Sequence, residues 1–238
     1  MTETSEKRPL LKMFKAVPPS YDLLNRVLTL RMDEKWRKQA AKECLKDNPN
    51  HVLDLCTGTG DLVLRLRKTA PAHTQISALD YSQPMLKRAE IKAKKRNLSN
   101  IHFQHGDVAD LPYPDNHFDA IGIAFAFRNL TFHNPDREIF LREILRVIRP
   151  GGRFVVVETS QPQSRILRSL YHLYMKWISA PIGGLLSGHW GAYRYLAHSA
   201  CNYWNTVEAS EFLKNSGFTK VTANPLLAGI AAIYVAVK

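Results

Sequence analysis

The residues best spaced for chemistry lie between Val52 and Asp80. Val52, Leu53 and Leu55 form an apolar run of the kind that makes a buried strand, with Asp54 set inside it. Gly58 and Gly60 break the run, and Asp61 to Leu66 has helical spacing. A strand, a glycine turn and a helix start make a nucleotide-binding unit. The glycines let the backbone approach a ligand, and the helix start offers unpaired N–H groups. The dinucleotide fingerprint requires a third glycine where Val63 stands. Asp54, a carboxylate at the strand end, would repel a pyrophosphate and hold an ammonium. S-adenosylmethionine carries an ammonium and a sulfonium and no phosphate. A second carboxylate, Asp80, ends the next apolar run about 20 residues beyond Gly60, the spacing at which an acid meets ribose hydroxyls. The pattern favours S-adenosylmethionine, with NAD and a ligand-free structural turn as the alternatives.

The elements that must position these residues alternate along the chain. Strands are expected at 51–56, 75–80, 101–105, 118–126 and 153–158, and helices at 61–69, 83–97 and 135–148. Pro150-Gly151-Gly152 stops the last of these helices. This rhythm predicts an α/β fold with a doubly wound, mostly parallel, seven-stranded Rossmann-like sheet and ligands at the strand C-ends. One domain is expected over 1–238. It has an N-terminal helical cover over 1–45, a core over 51–160, a helical insert over 161–205, and a closing helix and strands over 206–238. Residues 1–10 read as disordered, and Pro18-Pro19 breaks the N-terminal helical segment early. The insert is dense in apolar and aromatic residues, among them Leu170, Tyr171, Tyr174, Trp190, Tyr193 and Tyr195, with Arg165, Arg168 and Lys176 between them. It reads either as core packing or as an acceptor pocket whose basic-apolar helix touches a membrane.

The formal net charge of +12 over 238 residues invites a polyanion, either nucleic acid or an anionic membrane surface. The largest basic cluster, Lys87, Arg88, Lys92, Lys94, Lys95 and Arg96, reads first as a solvated helix face. Cys44, Cys56 and Cys201 have no metal spacing and suggest free thiols in a reducing cytoplasm. The nine histidines likewise show no ligand spacing, so no metal is expected. The polar start has no signal-peptide core, and no run reaches the length of a membrane span.

The order of motifs resembles the C-methyltransferases of menaquinone and ubiquinone synthesis, within the class I S-adenosylmethionine-dependent methyltransferases. The matching stretches include Met13-Phe14, Tyr21-Asp22 with Asn25, Trp36-Arg37, Val52 to Asp61, Leu111 to Asp115, Arg128-Asn129, Val147 to Gly152, Glu158 to Pro162 and Tyr193-Arg194-Tyr195-Leu196. Glu158 to Pro162 looks more like the menaquinone branch. The resemblance implies a cofactor site of Asp54, Gly58, Thr59, Gly60, Asp80, Tyr81, Asp107, Val108 and Ala124. Thr59 would meet the methionine end, Asp80 the ribose, and Asp107 with the Val108 N–H the adenine. It implies Arg128 and Asn129 as catalytic residues, and Phe14, Tyr21, Trp36, Phe127, Tyr193 and Tyr195 around the acceptor. The implied acceptor is a polyprenylated quinol, methylated at a ring carbon. The implied place is the cytoplasm, peripheral at the inner face of the membrane, with anionic lipid but no nucleic acid as partner and a homodimer left open. The chain departs from the family pattern at Ala124, Ala126, Phe127 and Tyr234, which bears on the choice of acceptor ring. Competing readings are a methyltransferase of another small hydrophobic acceptor, a non-catalytic cofactor-binding subunit, and an RNA methyltransferase. The last lacks an appended RNA-binding module.

Overall fold

A computed structural model describes residues 21–238, with the backbone alone at Tyr21 and at residues 23–25. The expectations of disorder over 1–10, of a helix break at Pro18-Pro19 and of an acceptor contact at Phe14 lie outside the described residues. Seven strands form one sheet in the order β3-β2-β1-β4-β5-β7-β6. They are β1 His51–Leu55, β2 Gln75–Asp80, β3 Ile101–His105, β4 Phe118–Ala124, β5 Ile148–Thr159, β6 Lys220–Leu226 and β7 Ala231–Val237. The first five run parallel, and β7 pairs antiparallel with both β5 and β6, so the expected mostly parallel seven-stranded sheet is observed. β1 and β4 lie at the centre and are buried almost end to end, which is why they read as continuous apolar runs rather than alternating ones. The order reverses between β1 and β4, and at such a switch point the strand C-ends open a crevice.

Helices α1 Tyr21–Leu28 and α2 Met32–Cys44 precede the sheet. Within it come α3 Asp61–Thr69, α4 Gln83–Lys95, α5 Phe127–Thr131 and α6 Arg137–Val147. α3 begins with Asp61 and ends with Arg67 and Lys68, charges that suit the ends of its dipole. The closing helix, α10 Thr206–Asn215, is held at its start by a capping box of Asn205 and Glu208. Apolar residues of α2, α3 and α4 cover one face of the sheet. Those of α5, α6 and α10 cover the other.

The insert is helical, as its composition suggests. It runs α7 Arg165–Tyr174, a π-helical turn Met175–Ser179, α8 Ala180–Ser187 and α9 Trp190–Cys201. Tyr171, Met175, Ala180, Ala197 and Ala200 make a small core of their own. The opposite side is exposed and apolar, with Ile166, Leu170 and Leu173 of α7, Trp177 of the π turn, and Leu185 and Leu186 of α8 open to solvent. No described helix is long and apolar enough to cross a membrane.

Two of the boundaries that differ from the sequence expectation have a visible cause. β4 stops at Ala124 because Phe125 turns into the left-handed region at φ 58°, and the chain then starts α5. β5 begins at Ile148 rather than Arg153, because Ile148 pairs with Phe118 before the register shifts across Pro150 to Gly152.

Candidate active site

The crevice at the strand ends is one cavity of about 1090 Å³. Asp54, the last residue but one of β1, lines it and is buried at 1% exposure. Its carboxylate accepts the Thr57 hydroxyl at 2.6 Å and the backbone N–H of Val63. Val63 is in the first turn of α3, so Asp54 caps that helix from the strand as well as facing the cavity. Burial is the main cause that pushes its carboxyl up to about 7. Asp80 ends β2 and accepts the Gly58 N–H and the Ser82 N–H, each at 2.7 Å. Burial raises its pKa as well. Each carboxylate thus shapes the turn while lining the cavity.

The two glycines serve different purposes. Gly58 lines the cavity at φ 57°, and a Cβ there would meet only the Met85 Sδ, in ordinary contact at 3.9 Å. Gly60 does not line it. At φ 89° a Cβ there would stand 2.8 Å from the Ala89 Cβ, so this glycine lets α4 pack against the turn rather than a ligand approach it. Thr59 lines the cavity and donates to Asp22 of α1 at 2.6 Å. Lys92 of α4 reaches the Thr59 hydroxyl at 3.2 Å and bridges Asp22 and Asp61 at 2.8 Å each. Arg26 of α1 pairs with Asp61 at 3.6 Å and with Glu34 at 3.2 Å. The N-terminal cover is therefore tied to the glycine turn by charge. Lys92, read from sequence as part of a solvated helix face, is the node of that network.

Tyr81, Asp107, Val108 and Ala124 line the same end of the cavity. Asp107 accepts the Ala109 N–H at 3.0 Å, the turn geometry expected for an aspartate after a strand. Trp36 lines the cavity from α2, with its ring 6.1 Å from that of Phe125. Beside it Arg37 pairs with Asp33 and lies 4.9 Å over the Phe125 ring. Tyr195 lines the cavity from α9. The side chain of Tyr21 lies outside what the structure describes.

Two expected acceptor residues stand elsewhere. Phe127 is 1% exposed and packs edge-on against Phe154 at 5.7 Å, in the sheet core and off the cavity lining. Tyr193 lies against Gly183, where a Cβ would stand 2.0 Å from its ring, so it joins α8 to α9 rather than facing the cavity. Both read as pocket residues because aromatic character alone does not say which side of a helix is lined.

Arg128 and Asn129, at the start of α5, line the middle of the cavity. Arg128 is buried at 6% exposure, so it is no surface arginine. Its guanidinium donates to the Thr159 hydroxyl at 2.6 Å and stands 3.7 Å from Glu158. Thr159 passes the contact on, donating to Glu158 through its hydroxyl at 3.0 Å and its N–H at 2.8 Å. Glu158, at 0% exposure, also accepts the Arg128 backbone N–H at 3.0 Å. Glu158 and Thr159 are site residues that the cofactor and acceptor motifs do not single out, although a charge near the end of an apolar strand is a readable signal. Beyond them the lining turns apolar, through Leu28, Leu167, Leu170, Tyr174 and Ile230. Tyr174 donates to the Leu28 carbonyl at 2.6 Å and closes the insert onto α1.

The chain is similar to the demethylmenaquinone methyltransferase of Thermotoga maritima, 40% identical over 230 residues, covering 96% of each chain. It is 41% identical over 223 residues to the protein of the same name from Thermus thermophilus, covering 94% of this chain and 98% of that one. Among solved structures, an S-adenosylmethionine-dependent methyltransferase from Aquifex aeolicus superposes with a TM-score of 0.62 at 21% identity, covering 98% of this chain and 99% of that one. The [4+2]-cyclase SpnF reaches the same TM-score at 20% identity over 97% and 96% of the two chains, so at this distance the likeness is one of fold alone. The profile of the ubiE/COQ5 methyltransferase family matches residues 1–238, and with a cavity that joins an acidic glycine turn to a buried arginine, the chain belongs to that family of S-adenosylmethionine-dependent methyltransferases.

Proposed function

We propose that the chain methylates a ring carbon of a reduced, polyprenylated naphthoquinone, converting a demethylmenaquinol to a menaquinol. The observation that carries this reading is the polarity of the one cavity. It is acidic and glycine-lined at one end, arginine-lined in the middle and apolar where it meets the insert. S-adenosylmethionine, when bound, supplies an electrophilic methyl on a sulfonium. The donor set fits it, since Asp54 is a buried carboxylate whose charge needs a cation beside it, and Asp80, Asp107 and Val108 follow in the order of ribose and adenine.

The ring carbon becomes nucleophilic as its neighbouring hydroxyl loses a proton. A guanidinium is a poor base in proteins, so Arg128 acts as a charge and not as a base. It stabilises the developing phenolate and, with Asn129, orients the water that takes the proton. Glu158 and Thr159 hold the guanidinium in place from behind. Transfer of the methyl to the ring carbon would leave the electron pair of the broken bond with the donor, and the ring carbon would then give up its own proton to water. No metal is assigned a role.

The prenyl tail lies along Leu167, Leu170 and Ile230 in this reading. Leu170 is also 57% exposed, which leads the tail out onto the apolar face of the insert. No Asp or Glu occurs between Glu158 and Glu208, whereas Arg165, Arg168, Lys176 and Arg194 do. An apolar, acid-free face with basic residues suits the anionic inner leaflet, and the protein is peripheral there, working from the cytoplasm. Vesicles carrying anionic lipid should retain it, and neutral vesicles should retain less.

The deciding experiment is methyl transfer from labelled donor to a prenylated naphthoquinol and a prenylated benzoquinol in detergent. Product on the naphthoquinol supports the reading. Product on the benzoquinol alone moves the enzyme to the ubiquinone branch. Product on neither, with donor binding intact, refutes it.

A further inference from the structure

Among the described residues, two cavity-lining side chains carry a buried polar atom with no hydrogen-bond partner. These are Arg128, through Nε, and Tyr171, through its hydroxyl. Tyr171 stands on α7 at 6% exposure, packed with Met175, Ala180, Ala197 and Ala200. Arg128, Cys201, Glu158 and Tyr174 all act electrostatically on its hydroxyl, which puts it within reach of the arginine stretch and of the apolar end alike. A buried hydroxyl without a partner is destabilising, and a phenylalanine would keep the packing without that cost. The two unpartnered groups are both donors, and they come from different elements, α5 and α7. Two such donors on the wall of one cavity suit an oxygen on which negative charge develops.

We propose that Tyr171 is an acceptor-positioning residue, and that its hydroxyl and the Arg128 Nε together hold the ring oxygen that becomes the phenolate. This rests on the quinol reading above and adds a second donor to it. Burial raises the Tyr171 pKa, so the hydroxyl keeps its proton at neutral pH and stays a donor. The Arg128 side of the pair is anchored at Nη1 by Thr159 and Glu158, which leaves Nε as a buried guanidinium N–H without a partner.

The test uses the full-length protein with S-adenosylhomocysteine bound and two probes, a nitronaphthol that is ionised at neutral pH and its neutral parent naphthol. The wild type should bind the ionised probe the tighter, with a shift in its visible absorption. Tyr171→Phe should narrow that preference by about tenfold to a hundredfold, the range of a hydrogen bond to a charged group. Its melting temperature should be unchanged or higher, since an unpartnered hydroxyl has gone. An unchanged preference in Tyr171→Phe would overturn the proposal, and so would a wild type that binds both probes alike. Quinol turnover by the wild type, run alongside, separates the two failures. Turnover with an unchanged probe preference sinks the Tyr171 assignment alone, whereas no turnover and no preference sink both readings.

Discussion

Protonating Asp54 and replacing it by Asn remove the same negative charge, and the burial of the group sets the pH at which the first happens. With its carboxyl at about 7, the free protein at pH 7 carries the Asp54 charge about half the time. At pH 5 it does so in about one molecule in a hundred. An ammonium bound beside it keeps the carboxyl ionised. The affinity for S-adenosylmethionine therefore follows the ionised fraction and falls about 50-fold from pH 7 to pH 5. The amino group of the ligand, with an ordinary value near ~8, stays protonated throughout that range. Binding at pH 7 takes up the charge by releasing about half a proton. Calorimetric titration at pH 5, 6 and 7, in buffers of different ionisation enthalpy, reads both quantities. Asp54→Asn should bind weakly at all three values and leave only the shallower dependence that Asp80 contributes in the same direction. The stability of the free protein moves the other way. A folded-state value above the unfolded one means the folded chain holds the proton more tightly, so stability present near pH 4 is lost as pH rises towards 7. The full window is worth roughly 4 kcal/mol. Equal affinity at pH 5 and pH 7, with no proton released, would refute the assignment of Asp54 to the ammonium.

Two further perturbations follow from the same geometry. Arg128→Ala leaves Glu158 buried without its partner and should lower stability by roughly 3–5 kcal/mol by denaturant titration. Adding Glu158→Gln should return part of that stability, while turnover remains down by about 10²–10³-fold with donor affinity kept. A double variant that regains turnover would show that Arg128 only balances Glu158. Gly60→Ala combines a left-handed backbone with a contact of 2.8 Å, whereas Gly151→Ala has φ 75° and open space around it. The first should cost more than the second, which carries only a backbone penalty of about 1 kcal/mol, and equal midpoints in urea would contradict this.

Much of the core was readable because its signals are local. Strand, glycine turn and helix follow within a few residues around Asp54, and α3 falls where its apolar spacing put it, Asp61–Thr69. The boundary after β4 was hidden, since Ala124, Phe125 and Ala126 continue an apolar run and only the left-handed turn at Phe125 ends it. Asp80 and Asp54 were legible as carboxylates at strand ends, but not as caps of the turn itself. Glu158, Lys92 and Asp22 gain their parts from partners 30 or more residues away, a distance that no periodicity reports. The swap of Phe127 into the core and Tyr171 into the cavity has the same origin. Both are aromatic, and only packing against Phe154 or a place on the cavity lining tells them apart.

The walls of the cavity are of two physical kinds. The cover over the glycine turn is held by Lys92, Asp22, Asp61 and Arg26, all half-buried. The far wall is Leu167, Leu170 and Ile230, held by exclusion of water. Salt acts on them with opposite sign: it screens the charged wall, and a strongly hydrated salt such as sulfate tightens the apolar one. Ionic strength is thus a control that separates the two halves of the site. It loosens the cover over the glycine turn while firming the apolar wall, so the two ligands of one enzyme should show opposite salt responses.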